Sequence, residues 1–378
     1  MTFAMNTTAF CFEKTNFIGM DLHSNNVAVC VVQNAVDKNQ KLIGKVIARK
    51  TIALSRDLGE LEGFLSRYCA NVAHEATVES TYNWYRLADL FEHKNWNLRL
   101  ADPTTVKRNK VKFSDDMTDA QFLAEQMRLN ALESTQVLGK QQRAIRDLVR
   151  FRGVLVQDRA RYKTIFKNFL NNQQYLQLTA TQTKELALQC KQTNSSDCLM
   201  EIFDDVLIAE KAFELLYMIE VLTERIETVE QKISAALKNY ESIEPMRKLL
   251  QSIPGCGEVL STAISVEIAE IGRFKSARDF VSYCRLAPSN RFSNGKSKGE
   301  GNKKNGNAYL SWALTELANL ATRYSAPIRK KYDRLLSKTN MRVRAIRVLA
   351  AKMARAVWQM IKKQERFNEK LCFNSYVK

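Results

Sequence analysis

The chain has 378 residues and 45% hydrophobic side chains, which is enough apolar material for a sizeable core spread over two or three domains. No apolar run approaches about 18 residues and no signal peptide precedes the first strand pattern, so we expect neither a membrane span nor secretion, and a cytoplasmic protein. The 8 cysteines are scattered without a CxxC pair and there are only 3 histidines, which argues against a zinc site and favours reduced, structural thiols.

The positive charge is concentrated in the C-terminal part of the chain. The formal net charge is +18, and residues 273–378 alone contain 25 Lys/Arg against 6 Asp/Glu. Such a field attracts a polyanion through counterion release. The same excess of Lys and Arg would also be found on a basic surface that only keeps the protein soluble, or on a patch that binds a membrane surface. Nucleic acid is favoured because the cations alternate with aromatic and glycine-rich stretches instead of following one amphipathic helix.

Residues 1–15 are predicted to form an N-terminal extension, and residues 16–130 an α/β domain. Runs of alternating or β-branched apolar residues predict strands, and apolar residues three or four apart predict helices. Strands followed by helix–strand alternation indicate a mixed sheet with helices on its faces. The strand patterns lie at 16–33 with a turn at 23–26, 45–54, 74–80 and 97–102, and the helical patterns at 58–69 and 82–96.

Residues 131–248 are predicted to be helical, with a coiled-coil seam at about 208–236. Apolar residues recur there at alternating steps of four and three, as in heptad repeats. The seam could join two protomers or pack on another helix of the same chain. Its members are Ile208, Ala212, Leu215, Ile219, Leu222, Ile226, Val229, Ile233 and Ala236.

Residues 249–378 are predicted to form a third, mainly helical domain. Its opening segment 253–268 has a P-G-x-G turn before a small-residue helix and resembles a helix–hairpin–helix. There Gly255 and Gly257 would let backbone amides approach a DNA phosphate. An ordinary interhelical turn is the plainer reading. In the last long helix Val343, Ile346, Ala350, Met353 and Val357 are predicted to face inward, and Arg344, Arg347, Lys352 and Arg355 outward.

Four acids stand at the ends of predicted elements. Asp21 and Glu79 each follow an apolar strand, and Asp116 and Asp119 share one face of a helical first turn. Four converging carboxylates would repel one another unless a cation lay between them, and Mg²⁺ prefers oxygen ligands and serves phosphoryl transfer. Asp116 could instead be a helix N-cap, a role that Ser114 or Asp115 could also fill, and Asp115 competes as a ligand.

A glycine-, asparagine- and lysine-rich segment, residues 291–307, is predicted to be a flexible cationic loop. Ser293 in it could attack a phosphodiester while Arg291, Lys296 or Lys298 stabilises charge on the phosphoryl oxygens. Such loops more often only bind phosphate. Lys303 and Lys304 add to the predicted DNA contacts.

Together these segments resemble the DEDD transposases of the IS110 family of insertion sequences, which includes Piv-type DNA invertases and bridge-RNA-guided recombinases. The resemblance covers roughly residues 16–325. GMDLHSN is similar to the first acidic motif of the family, Glu79-Ser80-Thr81 to its E-A-T-G, Asp102–Lys107 to its N-P-x-x-V-K, and Ser114–Ala120 to its K-T-D-x-x-D-A. Residues 253–288 are similar to its second domain throughout, Ser293-Asn294-Gly295-Lys296 to its S-G-G-K, and Gly306–Leu310 to its G-N-x-Y-L.

The resemblance implies a RuvC-like, RNase H-type fold for residues 16–130, in which Asp21, Glu79, Asp116 and Asp119 bind Mg²⁺. It also implies that Ser293 links covalently to DNA in a composite site shared between protomers of a dimer or tetramer, and that a structured RNA pairs with donor and target DNA. Ser297 is an alternative nucleophile. The family pattern is altered at Tyr82, Ser114, Asp115 and Asn294, and these changes leave the four acids and the serine in place.

Three functions follow as hypotheses. The first is a transposase or recombinase that cuts and rejoins DNA. The second is a RuvC-like nuclease in which water attacks and Ser293 only binds DNA. The third is a non-catalytic nucleic-acid-binding scaffold.

Overall fold

The computed structural model describes residues 15–80, 83–103, 106, 115–132, 134–172, 178–240, 243–288, 290–293, 296–300 and 305–373. The predicted extension therefore lies almost entirely outside the described residues. The chain divides into two units, residues 1–140 and 141–378.

The N-terminal unit is built on a six-stranded mixed sheet with the strand order β3-β2-β1-β4-β5-β6. β1 is parallel to β4 and β4 to β5, whereas the other neighbours are antiparallel. The strands are β1 (Asn16–Leu22), β2 (Asn26–Val36), β3 (Leu42–Ala53), β4 (His74–Glu79), β5 (Leu98–Ala101) and β6 (Ser134–Gln136).

Side chains alternate along each strand, so both faces of the sheet carry apolar residues. Helices cover both faces. The larger core lies on the face of Met20 and Val78, where it includes Leu61 and Leu87 of two helices. On the other face Cys30 is clustered with Ala120 and other small residues of a third helix. The helices are α1 (Gly59–Cys69), α2 (Tyr85–His93) and α3 (Asp116–Arg128).

Helix α3 lies directly on strand β1 at Gly19. A Cβ atom built on Gly19 would lie 2.0 Å from the carbonyl oxygen of Ala120 and 2.5 Å from the backbone nitrogen of Ala124. No side chain fits in that space, since real Cβ atoms do not approach backbone so closely. Gly19 therefore permits a backbone-to-backbone contact that puts the first turn of α3 beside the end of β1.

In the residues that the structure describes, the C-terminal unit is helical apart from one β-hairpin, so the α/β-plus-α fold class is confirmed at this level. Its largest core is formed by helices that include α8, α10 and α12. No described helix has the length and apolar character needed to cross a bilayer. The elements are α4 (Lys140–Asn172), α5 (Ala180–Thr193), α6 (Val206–Lys238), α7 (Glu244–Leu250), α8 (Glu258–Ile268), α9 (Ala277–Tyr283), β7 (Asn290–Ser293), β8 (Lys296–Glu300), α10 (Ala308–Tyr324), α11 (Ala326–Thr339), α12 (Arg342–Lys363) and α13 (Glu369–Phe373).

The heptad seam of α6 is buried within the chain. Ile219 is 4% exposed and Ile233 is 8% exposed. The N-terminal half of the seam belongs to a core with Cys190 of α5, and the C-terminal half to a core with Ile145 of α4. Of the two alternatives, joining two protomers or packing within one chain, the structure shows the seam packed on helices of its own chain.

Two expectations for the C-terminal unit were wrong. Val343 does not face inward but is 69% exposed, because in the first turn of α12 the core covers Ala345 and leaves the side of Val343 open. The segment predicted as a loop instead forms the hairpin β7–β8 over much of its length. Its strands are separated by Asn294-Gly295, a residue pair typical of two-residue hairpin connections, and this signal was overlooked.

We predict that Gly19→Val lowers the free energy of unfolding of the N-terminal unit by about 1–3 kcal/mol or more, because α3 must move off the sheet. The measurement is pulse proteolysis in urea, which reports on the two units separately. Gly63→Ala is the matched control: an added Cβ at this helical glycine meets no atom within 4 Å. It should stabilise by roughly 0.5–1 kcal/mol. Equal midpoints for wild type and Gly19→Val would contradict the close approach.

Candidate functional site

Asp21 and Glu79 occupy equivalent positions on neighbouring parallel strands. Met20 of β1 pairs with Val78 of β4, so the two acids stand one residue further along at the same edge of the sheet. Residues paired in this way point to the same face. Asp21 shares that face with Gly19, and both acids therefore lie on the side of the sheet that α3 covers.

The cap of α3 is Asp115, which settles the choice that the sequence left open. Its carboxylate accepts a hydrogen bond of 2.7 Å from the backbone N–H of Thr118. Hydrogen bonds from the side chain and the backbone of Thr118 lower the pKa of Asp115. Because Asp115 serves as the cap, Asp116 and Asp119 in the first turn do not have that role.

His23 brings Asp21 and Asp116 together. Its Nε2 lies 3.3 Å from Oδ2 of Asp21 and 3.3 Å from Oδ1 of Asp116. The His23 carbonyl accepts a 2.7 Å hydrogen bond from Asn83 Nδ2, which holds the segment after β1. Sequence reasoning missed His23. The available signal was its spacing of two from Asp21, which continues the alternation of β1 toward the same face.

The Asp21–His23–Asp116 group fits a divalent cation. One oxygen of each aspartate and Nε2 all lie within 4.8 Å of one another, and this is the one such group of three in the described part of the chain. The Nε2 atom is shielded although the ring is 43% exposed, and neither carboxylate contact has hydrogen-bond geometry. Carboxylates suit Mg²⁺ or Mn²⁺, and imidazole is a common metal ligand. Glu79 and Asp119 are not members of this group: Glu79 follows Val78 on the neighbouring strand, and Asp119 lies three residues after Asp116 in the first turn of α3.

Ser293 lies at the end of β7 and pairs with Lys296 at the start of β8. Lys296 is exposed. The side chains of Ser293, Ser297, Arg291 and Lys298 lie outside the described part of the structure, as do residues Lys303 and Lys304. For Ser293 the structure therefore describes the backbone and its strand pairing.

The chain segments that lead into and out of the hairpin are held together where they leave the helical core. Asn307 N–H donates to the Tyr283 carbonyl at 2.6 Å, and Arg285 Nε donates to the Gly306 carbonyl at 2.9 Å. Gly306 has φ 91°, and a Cβ there would lie 2.4 Å from the Tyr283 oxygen. Both the positive φ and the close Tyr283 oxygen require a glycine at the first position of the Gly306–Leu310 motif.

A buried ion pair supports this junction. Arg150 of α4 donates through Nε and Nη2 to both oxygens of Glu267, at 2.6 and 2.8 Å, and the Glu267 side chain is 2% exposed. Asn307 Nδ2 donates to the same carboxylate at 2.6 Å, while its Oδ1 accepts from Leu310 N–H and caps α10. The network joins α4, α8 and α10 beside the root of the hairpin.

The turn between α7 and α8 has two glycines with different surroundings. Gly255 has φ 81°, and its Cβ would lie 3.0 Å from backbone atoms of Leu320 and Ala321, so packing against α10 requires a glycine there. Gly257 precedes α8, and a Cβ atom built on it would meet no atom within 4 Å. An open groove of about 600 Å³ runs along this turn and reaches Tyr324.

Comparison with known proteins gives two family matches. Residues 18–174 match the DEDD transposase model of IS110 type, and residues 247–333 match the model described as Transposase IS116/IS110/IS902 family. The first match contains the four acids and the second contains Ser293.

Curated relatives extend this similarity along the chain. The chain is 22% identical over 364 residues to a protein of Sinorhizobium fredii described as a transposase, y4pF/y4sB, covering 94% of this chain and 87% of that protein. It is 24% identical over 294 residues to the transposase for insertion sequence element IS1111A of Coxiella burnetii, covering 75% of this chain and 76% of that protein.

We predict that Mn²⁺, used as a probe, binds the N-terminal acids of the full chain. Asp21→Asn should weaken that binding by roughly tenfold or more, since a ligand is lost and the remaining charge is reduced. Isothermal titration calorimetry measures it without reference to activity. Glu60→Gln, which removes an exposed acid on α1, is the control and should bind as wild type does. Unchanged Mn²⁺ affinity in Asp21→Asn would exclude this site.

We also predict that Arg150→Met destabilises the C-terminal unit by about 3–5 kcal/mol, because Glu267 is left charged and buried. Arg150→Met/Glu267→Gln should regain part of the loss. Arg329→Met breaks an exposed pair with Asp333 and should cost no more than about 1 kcal/mol. Urea unfolding of that unit provides the comparison, and similar losses for Arg150→Met and Arg329→Met would refute the prediction.

Proposed function

The chain belongs to the IS110 family of DEDD transposases, and from that premise we propose that it cuts and rejoins DNA by Mg²⁺-dependent phosphoryl transfer with Ser293 as the nucleophile. Transposase activity and DNA binding belong to the family as a whole. The observation that carries the mechanistic proposal is the meeting of Asp21 with Asp116 across His23 at the edge of the sheet.

The residues proposed to hold Mg²⁺ are Asp21, Glu79, Asp116 and Asp119. A bound Mg²⁺ would act as a Lewis acid that offsets the negative charge on the phosphoryl oxygens. The strand order β3-β2-β1-β4-β5, with β1 central and antiparallel to β2, supports a RuvC-like assignment for the sheet. His23 would restrain the two aspartates at the separation that a shared cation needs.

The proposed chemistry has two exchanges. The Ser293 hydroxyl oxygen attacks phosphorus, its proton is lost, and the bond from phosphorus to the leaving DNA oxygen breaks, so that this oxygen takes up a proton. DNA is then joined to the serine through a phosphodiester. A hydroxyl of a second DNA strand attacks that phosphorus, and Ser293 leaves with its hydroxyl restored.

The remaining parts of the proposal concern partners. Arg291, Lys296, Lys298, Lys303 and Lys304 are proposed to contact DNA phosphates around the serine, and Gly257 a phosphate at the start of α8. Donor and target duplexes would be chosen by a structured RNA, so the protein itself would read shape and backbone. A dimer or a tetramer would hold the two duplexes. Since the α6 seam is buried within the chain, such an assembly needs another surface.

We predict that wild-type protein with Mg²⁺ and DNA containing the element ends forms a covalent protein–DNA adduct on a denaturing gel. Ser293→Ala should abolish it, a loss of roughly a thousandfold or more in rate, because the attacking oxygen is gone. Ser297→Ala is the matched control on the adjacent strand and should keep the adduct.

The other functions give different patterns in the same experiment. Strand cleavage that survives Ser293→Ala would mean that water attacks, as in a nuclease. Absence of both adduct and cleavage in the wild type, with DNA binding retained, would leave only the scaffold.

A further inference from the structure

Helices α11 and α12 form a helical hairpin whose tip is the segment 338–344. The helices are joined by Asn340, in a left-handed conformation with φ 52°, and Met341. Both helices contribute to one core through Ile328 and Leu349. The hairpin is therefore anchored at its base, and its tip lies at the turn.

The tip and the helix turns next to it have a strong excess of positive charge. Residues 329–347 contain eight Lys/Arg and one acid, Asp333, which pairs with Arg329 at 3.0 Å. Lys338, Arg342 and Arg344 are exposed, and no ion pair is recorded for them in the described part of the chain. A bound polyanion would offset the charge of these three side chains.

The first turns of α12 are largely exposed on the side away from the core, toward which Ala345 and Leu349 point. Among residues 342–348 only Ala345 is buried. Apolar side chains are exposed beside the arginines: Met341 at 55%, Val343 at 69% and Val348 at 45%. A helix end that carries both arginines and exposed methyl groups has the two contact types that base edges and phosphates in a major groove accept.

We propose that this tip, Lys338 to Arg344, binds duplex DNA. The B-form major groove, about 12 Å wide, admits an α-helix, whereas the A-form groove is deep and narrow. Arg342 and Arg344 contact phosphates or guanine edges, and Val343 contacts a thymine methyl group. The proposal rests on the proposed function only for the class of partner. The family match ends at residue 333, before the tip begins.

The test is fluorescence anisotropy of the full chain with a labelled B-form duplex of random sequence, over a range of salt concentrations. The variant is Arg342→Glu/Arg344→Glu. Its affinity should fall by roughly tenfold or more at low salt, and the slope of log affinity against log salt should decrease by about two. The matched control is Lys362→Glu/Lys363→Glu, the same charge change on exposed residues of the same helix. That pair lies about 28 Å away at 1.5 Å of rise per residue.

The control should lose less than roughly threefold in affinity, with a slope near that of wild type. Thermal unfolding midpoints of both variants should equal that of wild type, because all four residues are exposed. Equal losses in the two variants would overturn the proposal by showing a general charge effect. Unchanged duplex affinity in the tip variant, or a loss confined to a structured RNA probe, would also overturn it.

Failure of this inference can be told apart from failure of the proposed function. The binding measurement needs neither Mg²⁺ nor cleavage. If wild type forms no covalent adduct but the tip variant loses duplex affinity, the catalytic proposal fails and the tip remains a DNA contact. If Ser293→Ala abolishes the adduct and the tip variant binds as wild type does, the reverse holds.

Discussion

The contact between Gly19 and helix α3 is the constraint on which the N-terminal site depends. Asp21 is fixed by the sheet and Asp116 by the helix, so their separation is set by how closely the two backbones approach. The lack of a side chain at Gly19 allows direct contact with Ala120 and Ala124. Small residues on the covered face of β2 continue the same close packing. A larger residue at Gly19 would increase the distance between Asp21 and Asp116, although neither acid would itself be changed.

Two acidic centres in the chain are treated in opposite ways. Glu267 is buried, but Arg150 and Asn307 supply donors to both of its oxygens, so it is a satisfied structural charge. Asp21 and Asp116 share one imidazole nitrogen at a distance without good hydrogen-bond geometry. Two carboxylates held within 4.8 Å of each other repel, and a cation bound between them offsets that repulsion. This contrast distinguishes the structural acid from the candidate ligands.

The basic C-terminal part is likewise divided between two regions. The chain segments before and after the hairpin β7–β8 are held together by hydrogen bonds and a positive-φ glycine, Gly306, close to the Arg150–Glu267 pair. The tip of α11–α12 instead carries the exposed cations Lys338, Arg342 and Arg344, which form no ion pair with any described residue. A transposase has to hold DNA as well as react with it. Fixed chain segments on both sides of a hairpin suit the placement of a reacting group, and an exposed cationic tip suits holding a duplex.

The sequence alone determined the features that depend on local periodicity. These include the alternating strands, the amphipathic helices, the position of Asp21 and Glu79 at strand ends, and the basic C-terminal part, because each follows from residues close together in the chain. Only the tertiary structure decided what depends on distant partners: the capping of α3 by Asp115, His23 between two aspartates, the burial of the α6 seam within its own chain, and the exposure of Val343. The heptad pattern specifies an apolar stripe but not which helix covers it, and helical spacing cannot show which side of a helix end the core covers.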